Sequence, residues 1–165
     1  MHAKRVSEID WVNWSPVEPA TLIFIIRSQQ ILLIRKKRGL GAGKINGPGG
    51  RLEPGETPVA GVSRELREEL GVQATNIARF GEHRFQFIDG YSIYVHVYRA
   101  NGLKGIPIET DEAIPMWFDI HEIPFDEMWE DDRIWLPLLL EGKRFSGYWI
   151  FDGDRMLDYR LDVHP

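Results

Sequence analysis

The chain has 165 residues, 43% of them hydrophobic, a formal charge of -5 and no Cys, which suits a single globular domain with its own core. Without Cys there are no disulfides, thiolate metal sites or Cys nucleophiles, so a metal would need oxygen or imidazole ligands, which favours a hard cation. The acidic balance works against a nucleic-acid polymer as partner, because such binding rests on Lys and Arg neutralising phosphates.

Residues 1–20 show no clear period and hold two Pro. They are expected to form an N-terminal arm pinned by Trp11 and Trp14, leaving 21–165 as the single domain. No basic start leads into an apolar stretch, and no apolar run approaches the ~18 residues of a membrane span. The expected setting is therefore cytoplasmic, with no membrane partner.

ATLIFIIRS and QQILLIRKK, rich in β-branched residues, predict two strands around Ser28-Gln29. RGLGAGKINGPGG, residues 38–50, carries six Gly; its entropic cost in any regular element predicts a long loop. Thr57 as N-cap, Pro58 at the first helical position and Gly71 just past the end delimit a helix over Pro58 to Leu70. IARFGEHRFQFID and YSIYVHVYRA predict a hairpin around Asp89-Gly90, and MWFDI a short strand. DDRIWLPLLLEG reads as a helix despite Pro137, and FSGYWIFDGDRMLDYRLDV as a final hairpin with Asp152-Gly153 in the turn. This order predicts an α+β fold, an α/β/α sandwich around a mixed β-sheet.

Within the first helix, Val59, Val62, Leu66 and Leu70 fall on one stripe, the expected buried face. Glu65, Glu68 and Glu69 are spaced i, i+3, i+4 and repel one another on a neighbouring arc. One reading is a solvated charged face balanced by Arg64 and Arg67. The other is a cation site, because three acids sit at the end of the helix dipole that favours positive charge. The Gly-rich loop just upstream could add backbone oxygens to such a site.

From Gly50 the chain reads five residues, Glu56, seven residues, then Arg64-Glu65-Leu66-Arg67-Glu68-Glu69-Leu70-Gly71-Val72. This resembles the Nudix box, G-x5-E-x7-R-E-U-x-E-E-x-G-U with U aliphatic, at every fixed position. The resemblance implies the Nudix fold and a Mg²⁺ site, with Mn²⁺ as the alternative ion, that holds a diphosphate. By resemblance Glu68, Glu69 and the backbone oxygen of Gly49 coordinate metal. Glu65 binds metal or helps deprotonate the water, which makes Glu65 and Glu68 the catalytic candidates, and Glu56 and Arg64 form a structural salt bridge.

RKKRGLGAGKINGPGG before the box and TDEAIPMWFDIHEIPFDEMWEDDRIWLPLLLEGKRFSGYWIFDG after it are similar, over about residues 21–160, to the MutT-related oxidised purine nucleoside triphosphatases, the 8-oxo-dGTP diphosphatase group. Asn46, Trp129, Asp131 and Asp132 match base-contacting positions of that group, and Glu112 matches a further metal ligand. The residue types allow this, and each has a plainer reading. Trp129 is a stacking platform or a core ring. Asp131 and Asp132 are a pair that shares a proton if desolvated together, or an acidic helix start. Asn46 is a base reader or a turn residue, and Phe85 and Phe87 are pocket floor or core. Leu40, Ile45 and Pro48 stand where animal members carry aromatics, and Glu130 stands where they have Pro.

The implied activity converts oxidised purine (deoxy)nucleoside triphosphates, such as 8-oxo-dGTP or 2-hydroxy-dATP, to the monophosphate and pyrophosphate, with a small-molecule nucleotide as partner. An RNA 5'-end pyrophosphohydrolase and a nucleotide-sensing domain without turnover are the alternatives.

Overall fold

The computed structural model describes residues 3–165. β1 (Glu18–Arg27) and β2 (Gln30–Lys36) form an antiparallel hairpin through Ser28 and Gln29, whose φ values of 51° and 66° are both left-handed. β3 (Ile45–Asn46) and β4 (Gly49–Arg51) follow, then α1 (Pro58–Leu70). β5 (Gln73–Thr75), β6 (Ala78–Phe87), β7 (Ser92–Ala100), β8 (Gly102–Lys104) and β9 (Ala113–Asp119) lead to α2 (Asp132–Leu140). β10 (Arg144–Asp152) and β11 (Arg155–His164) close the chain.

The main sheet runs β11-β10-β6-β7-β1-β2-β3, with β4 on β1 and β9 on β2, while β5 and β8 pair separately. It is mixed, because β1–β7 and β6–β10 are parallel and the other pairs antiparallel. Alternation along the central strands sends side chains to opposite faces. Ile23, Ile25, Leu32 and Ile34 meet Val62, Leu66 and Leu70 of α1 on one face. Phe24, Ile31 and Leu33 meet Trp135, Leu136 and Leu139 of α2 on the other. Strands buried on both faces read as unbroken apolar runs, and the two helices make the α/β/α sandwich expected of the sequence.

Three local expectations need correction. Val59 is 49% exposed; the buried stripe begins at Val62. The Gly-rich segment is not all loop, since Asn46 pairs with Ile34 and Gly49–Arg51 with Ala20–Leu22. Neighbouring strands offset the cost that its composition suggests. The last turn is Gly153-Asp154, one residue later than expected, because Asp152 still pairs with Arg155. The arm packs Val6 and Ile9 with Trp11 and Trp14 against Ile150 and Tyr148, on the β10–β11 side of the sheet.

Candidate active site

α1 starts where Thr57 Oγ1 accepts the Ala60 N–H at 3.3 Å, and ends on left-handed Gly71. With Val62, Leu66 and Leu70 on the sheet, Glu65 and Glu69 are turned toward β4. The Gly49 N–H donates to Glu69 Oε1 at 2.8 Å. A Cβ on Gly50 would lie 2.5 Å from Glu65 Cδ, and one on Gly49, at φ 149°, would overlap the Thr21 carbonyl. Bare backbone is thus what lets two carboxylates reach the strand.

Glu112 completes the group from the loop before β9: ligand oxygens of Glu65, Glu69 and Glu112 all lie within 4.8 Å of one another. Thr110 ties that loop to α1, its Oγ1 donating to Glu69 O at 2.7 Å and accepting the Glu112 N–H at 3.2 Å. Glu68 is placed outside the cluster, 49% exposed, with Oε2 3.0 Å from Arg64 Nη1.

Arg64 is the hub beside them. It grips Glu56 through two bonds of 2.7 and 2.9 Å, reaches Glu65 Oε1 at 3.0 Å, and donates to Arg51 O at 3.0 Å. This contact holds the Glu56 carboxyl down at about 2. Burial pushes Glu69 up to about 8, with Glu65 and Glu112 adding to the rise and the Gly49 N–H opposing it. Burial also raises Glu65, against the pull of Arg64. Converging carboxylates held at this cost fit a hard divalent cation, which would supply the missing charge.

The cluster lines one end of a cavity of about 470 Å³, with Asn46, Phe85, Trp129, Asp131 and Asp132 lining the rest. Asp131 precedes α2 and Asp132 opens it, and both are buried. Asp131 Oδ2 accepts the Trp135 indole N–H at 2.7 Å, while its Oδ1 is buried without a partner. Burial pushes Asp131 up to about 6 and, with Asp131 beside it, raises Asp132 well above the usual carboxylate range. Burial and mutual repulsion thus favour the protonated form of the pair, which could then donate as well as accept a hydrogen bond.

Trp129 is partly buried, edge-on to Phe87 and Phe151 at 6.2 and 5.6 Å. Phe85 lines the cavity, whereas buried Phe87 stands behind Trp129. Sequence reasoning missed Lys36 and Tyr91, which also line it. The alternation that put Leu32 and Ile34 on the α1 face extends to Lys36, so its direction could have been read. Burial lowers its pKa while Glu69 supports its charge. Tyr91 had no local signal: its hydroxyl donates to Glu18 at 2.6 Å, and Glu18 pairs with Arg51 at 3.1 Å, contacts made only by the fold.

Residues 16–139 match the NUDIX domain family. The chain is 44% identical over 144 residues to an oxidized purine nucleoside triphosphate hydrolase of Danio rerio, covering 86% of this chain and 92% of the relative. It is 41% identical over 143 residues to the protein of the same name in Mus musculus, covering 86% and 92%. Among solved structures it resembles a MutT protein from Bacillus halodurans, with a TM-score of 0.80 at 25% identity over 88% of this chain and 98% of the other.

Proposed function

The chain belongs to the NUDIX family, and on that premise we propose that it hydrolyses oxidised purine (deoxy)nucleoside triphosphates, such as 8-oxo-dGTP or 2-hydroxy-dATP, to the monophosphate and pyrophosphate. The observation that carries this reading is one cavity with a carboxylate cluster at one end and a buried acid pair at the other. The first end suits a polyphosphate and the second the edge of a purine. The names of the Danio rerio and Mus musculus relatives support the same substrate class. The proposed role is sanitation of the nucleotide pool in the cytoplasm; no helix among the described residues is long and apolar enough to cross a membrane.

Glu65, Glu69 and Glu112 would hold Mg²⁺ or Mn²⁺, joined by Glu68 and the Gly49 carbonyl. Such an ion supplies neutralisation of phosphate oxygens and orientation of the attacking water. Glu65 or Glu68 accepts the proton of that water as its oxygen bonds to phosphorus and the bridging P–O bond breaks. Arg64 keeps both carboxylates in reach, and Lys36 adds positive charge beside the phosphates. At the other end Trp129 stacks on the base. Asp131 and Asp132, one donating and one accepting, read its edge with Asn46.

The RNA 5'-end alternative would call for a free basic groove. Arg38 at the cavity and Arg35, Lys37 and Lys44 around it in sequence are each paired to a carboxylate at 2.6–3.4 Å. The test is a kinetic panel with Mg²⁺ on 8-oxo-dGTP, 2-hydroxy-dATP, dGTP, dATP, ADP-ribose and triphosphorylated RNA, scoring pyrophosphate against phosphate. Oxidised purines should lead in kcat/KM. No advantage over the normal purines would sink the sanitising role even with hydrolysis intact.

A further inference from the structure

The segment that carries Trp129, Asp131 and Asp132 joins a short 3-10 turn, Phe125–Glu127, to α2 and belongs to no strand. A base-reading edge must nevertheless be held to a fraction of an ångström to discriminate between purines. Between Trp129 and the acid pair stands Glu130. It is exposed and lines no part of the cavity.

Its partner lies 26 residues downstream, where Glu130 Oε1 accepts the N–H of Met156 at 2.7 Å. Met156 is the second residue of β11, beside the irregularity where the β10–β11 register shifts between Ile150 and Phe151. The Glu130 carboxylate makes this a charge-assisted bond to backbone, of the stronger kind. One further contact binds the same hairpin to the segment directly, and a second reaches it through Lys44 of the Gly-rich loop. Phe151 of β10 packs edge-on to Trp129, and Asp154 of the turn pairs with Lys44 at 3.4 Å. Lys44 Nζ in turn lies 5.4 Å from the centre of the Trp129 ring.

We propose that Glu130 is a positioning residue for base recognition: by accepting the Met156 N–H it fastens the segment bearing Trp129, Asp131 and Asp132 to the β10–β11 hairpin. The tether to a second element makes the C-terminal hairpin part of the base site. This rests on the proposed substrate class, since it concerns how that base is read.

The test compares Glu130→Ala with Glu130→Gln, because an amide oxygen still accepts the Met156 N–H. Without substrate, hydrogen exchange at the Met156 amide should be slow in the wild type and in E130Q, and about tenfold faster in E130A. With 8-oxo-dGTP, E130A should raise KM about fivefold, the scale of one such hydrogen bond, with kcat within about twofold because the carboxylate cluster is untouched. E130Q should restore KM. Unchanged KM in E130A, a fall in kcat alone, or an E130Q as impaired as E130A would each overturn the proposal. Should the wild type prove indifferent to oxidation, the sanitising role falls by itself. The same KM comparison is then scored on whichever purine is hydrolysed: a rise in E130A with rescue in E130Q upholds the tether, and no rise refutes it.

Discussion

The cavity gathers carboxylates at both ends, and their surroundings set them opposite tasks. Glu65, Glu69 and Glu112 lie beside Lys36 and Arg64, with the Gly49 N–H on Glu69. Asp131 and Asp132 sit at the start of α2, with the Trp135 indole N–H as the one side-chain donor to Asp131 and aromatic rings nearby. Burial raises the pKa at both ends, to about 8 for Glu69 and about 6 for Asp131. Three converging oxygens are relieved by a cation, whereas a close pair is relieved by keeping a proton. In the proposed function the same functional group would bind metal at one end and donate a hydrogen bond at the other.

The sharpest way to break this contrast is at the metal end. Glu69→Gln should lower kcat by about a thousandfold, the order seen when a charge-stabilising group is lost from a transition state, as steady-state kinetics would show. Glu68→Gln should also lose turnover while nucleotide affinity without metal stays unchanged; retained turnover would remove Glu68 from the metal set and leave Glu112 in its place. Gly50→Ala is expected to cost about tenfold in kcat or more, because the new Cβ would displace the Glu65 carboxyl. A kcat equal to wild type would mean that Glu65 moves without consequence.

At the base end, Asp132→Asn should reduce the kcat/KM preference for an oxidised over a normal purine by about tenfold, the effect of one misplaced donor or acceptor. Equal losses on every substrate would make the role structural. The same change should stabilise the protein in a pH-dependent way. The folded pKa of Asp132 lies above the ordinary value of 3.8, so above pH 3.8 the unfolded state gives up a proton that the folded state keeps. The wild-type side chain therefore costs stability that grows as pH rises from about 4 toward the folded pKa, and costs none below 3.8. Asp132→Asn should raise Tm at pH 7.5 and leave it unchanged at pH 3.5, by thermal unfolding at both values. A Tm that falls at pH 7.5 would mean that the charged form is favoured.

What could be read from sequence was what local chemistry decides. α1 announces both ends through Thr57, Pro58 and Gly71, and the central strands announce their burial on two faces through unbroken apolar runs. Val59 was misplaced because periodicity gives the direction of a residue but not how far the sheet extends beneath the first helical turn. β3 and β4 were missed because their pairing comes from β1 and β2, against the composition of the segment. The box spacing pointed to Glu65, Glu68 and Glu69, yet the fold brings together Glu65, Glu69 and Glu112, with Glu68 on Arg64. Helical spacing cannot tell which of three acids turns toward β4. Tyr91 and the Glu130–Met156 contact depend on partners far along the chain, for which no single stretch carries a sign.

The smallest expected effect lies on β6, one side of which serves the cavity and the other the arm. Phe85 lines the cavity, while the next residue, Gln86, is buried and accepts the Trp14 indole N–H at 2.8 Å. Gln86 also donates to Phe87 O and Tyr91 O at 2.9 and 3.1 Å, so the arm meets the hairpin just behind the base site. Trp14→Phe keeps an aromatic ring of smaller area and removes the N–H, leaving the Gln86 carbonyl without that donor. The loss should be about 1 kcal/mol, a fall of about 2–4 °C in Tm for a domain of this size. Phe85 and Trp129 are held from the β10–β11 side by Trp149 and Phe151, so kcat/KM on an oxidised purine should stay within about twofold. A loss of tenfold or more with Tm unchanged would transfer the arm from the scaffold to the base site.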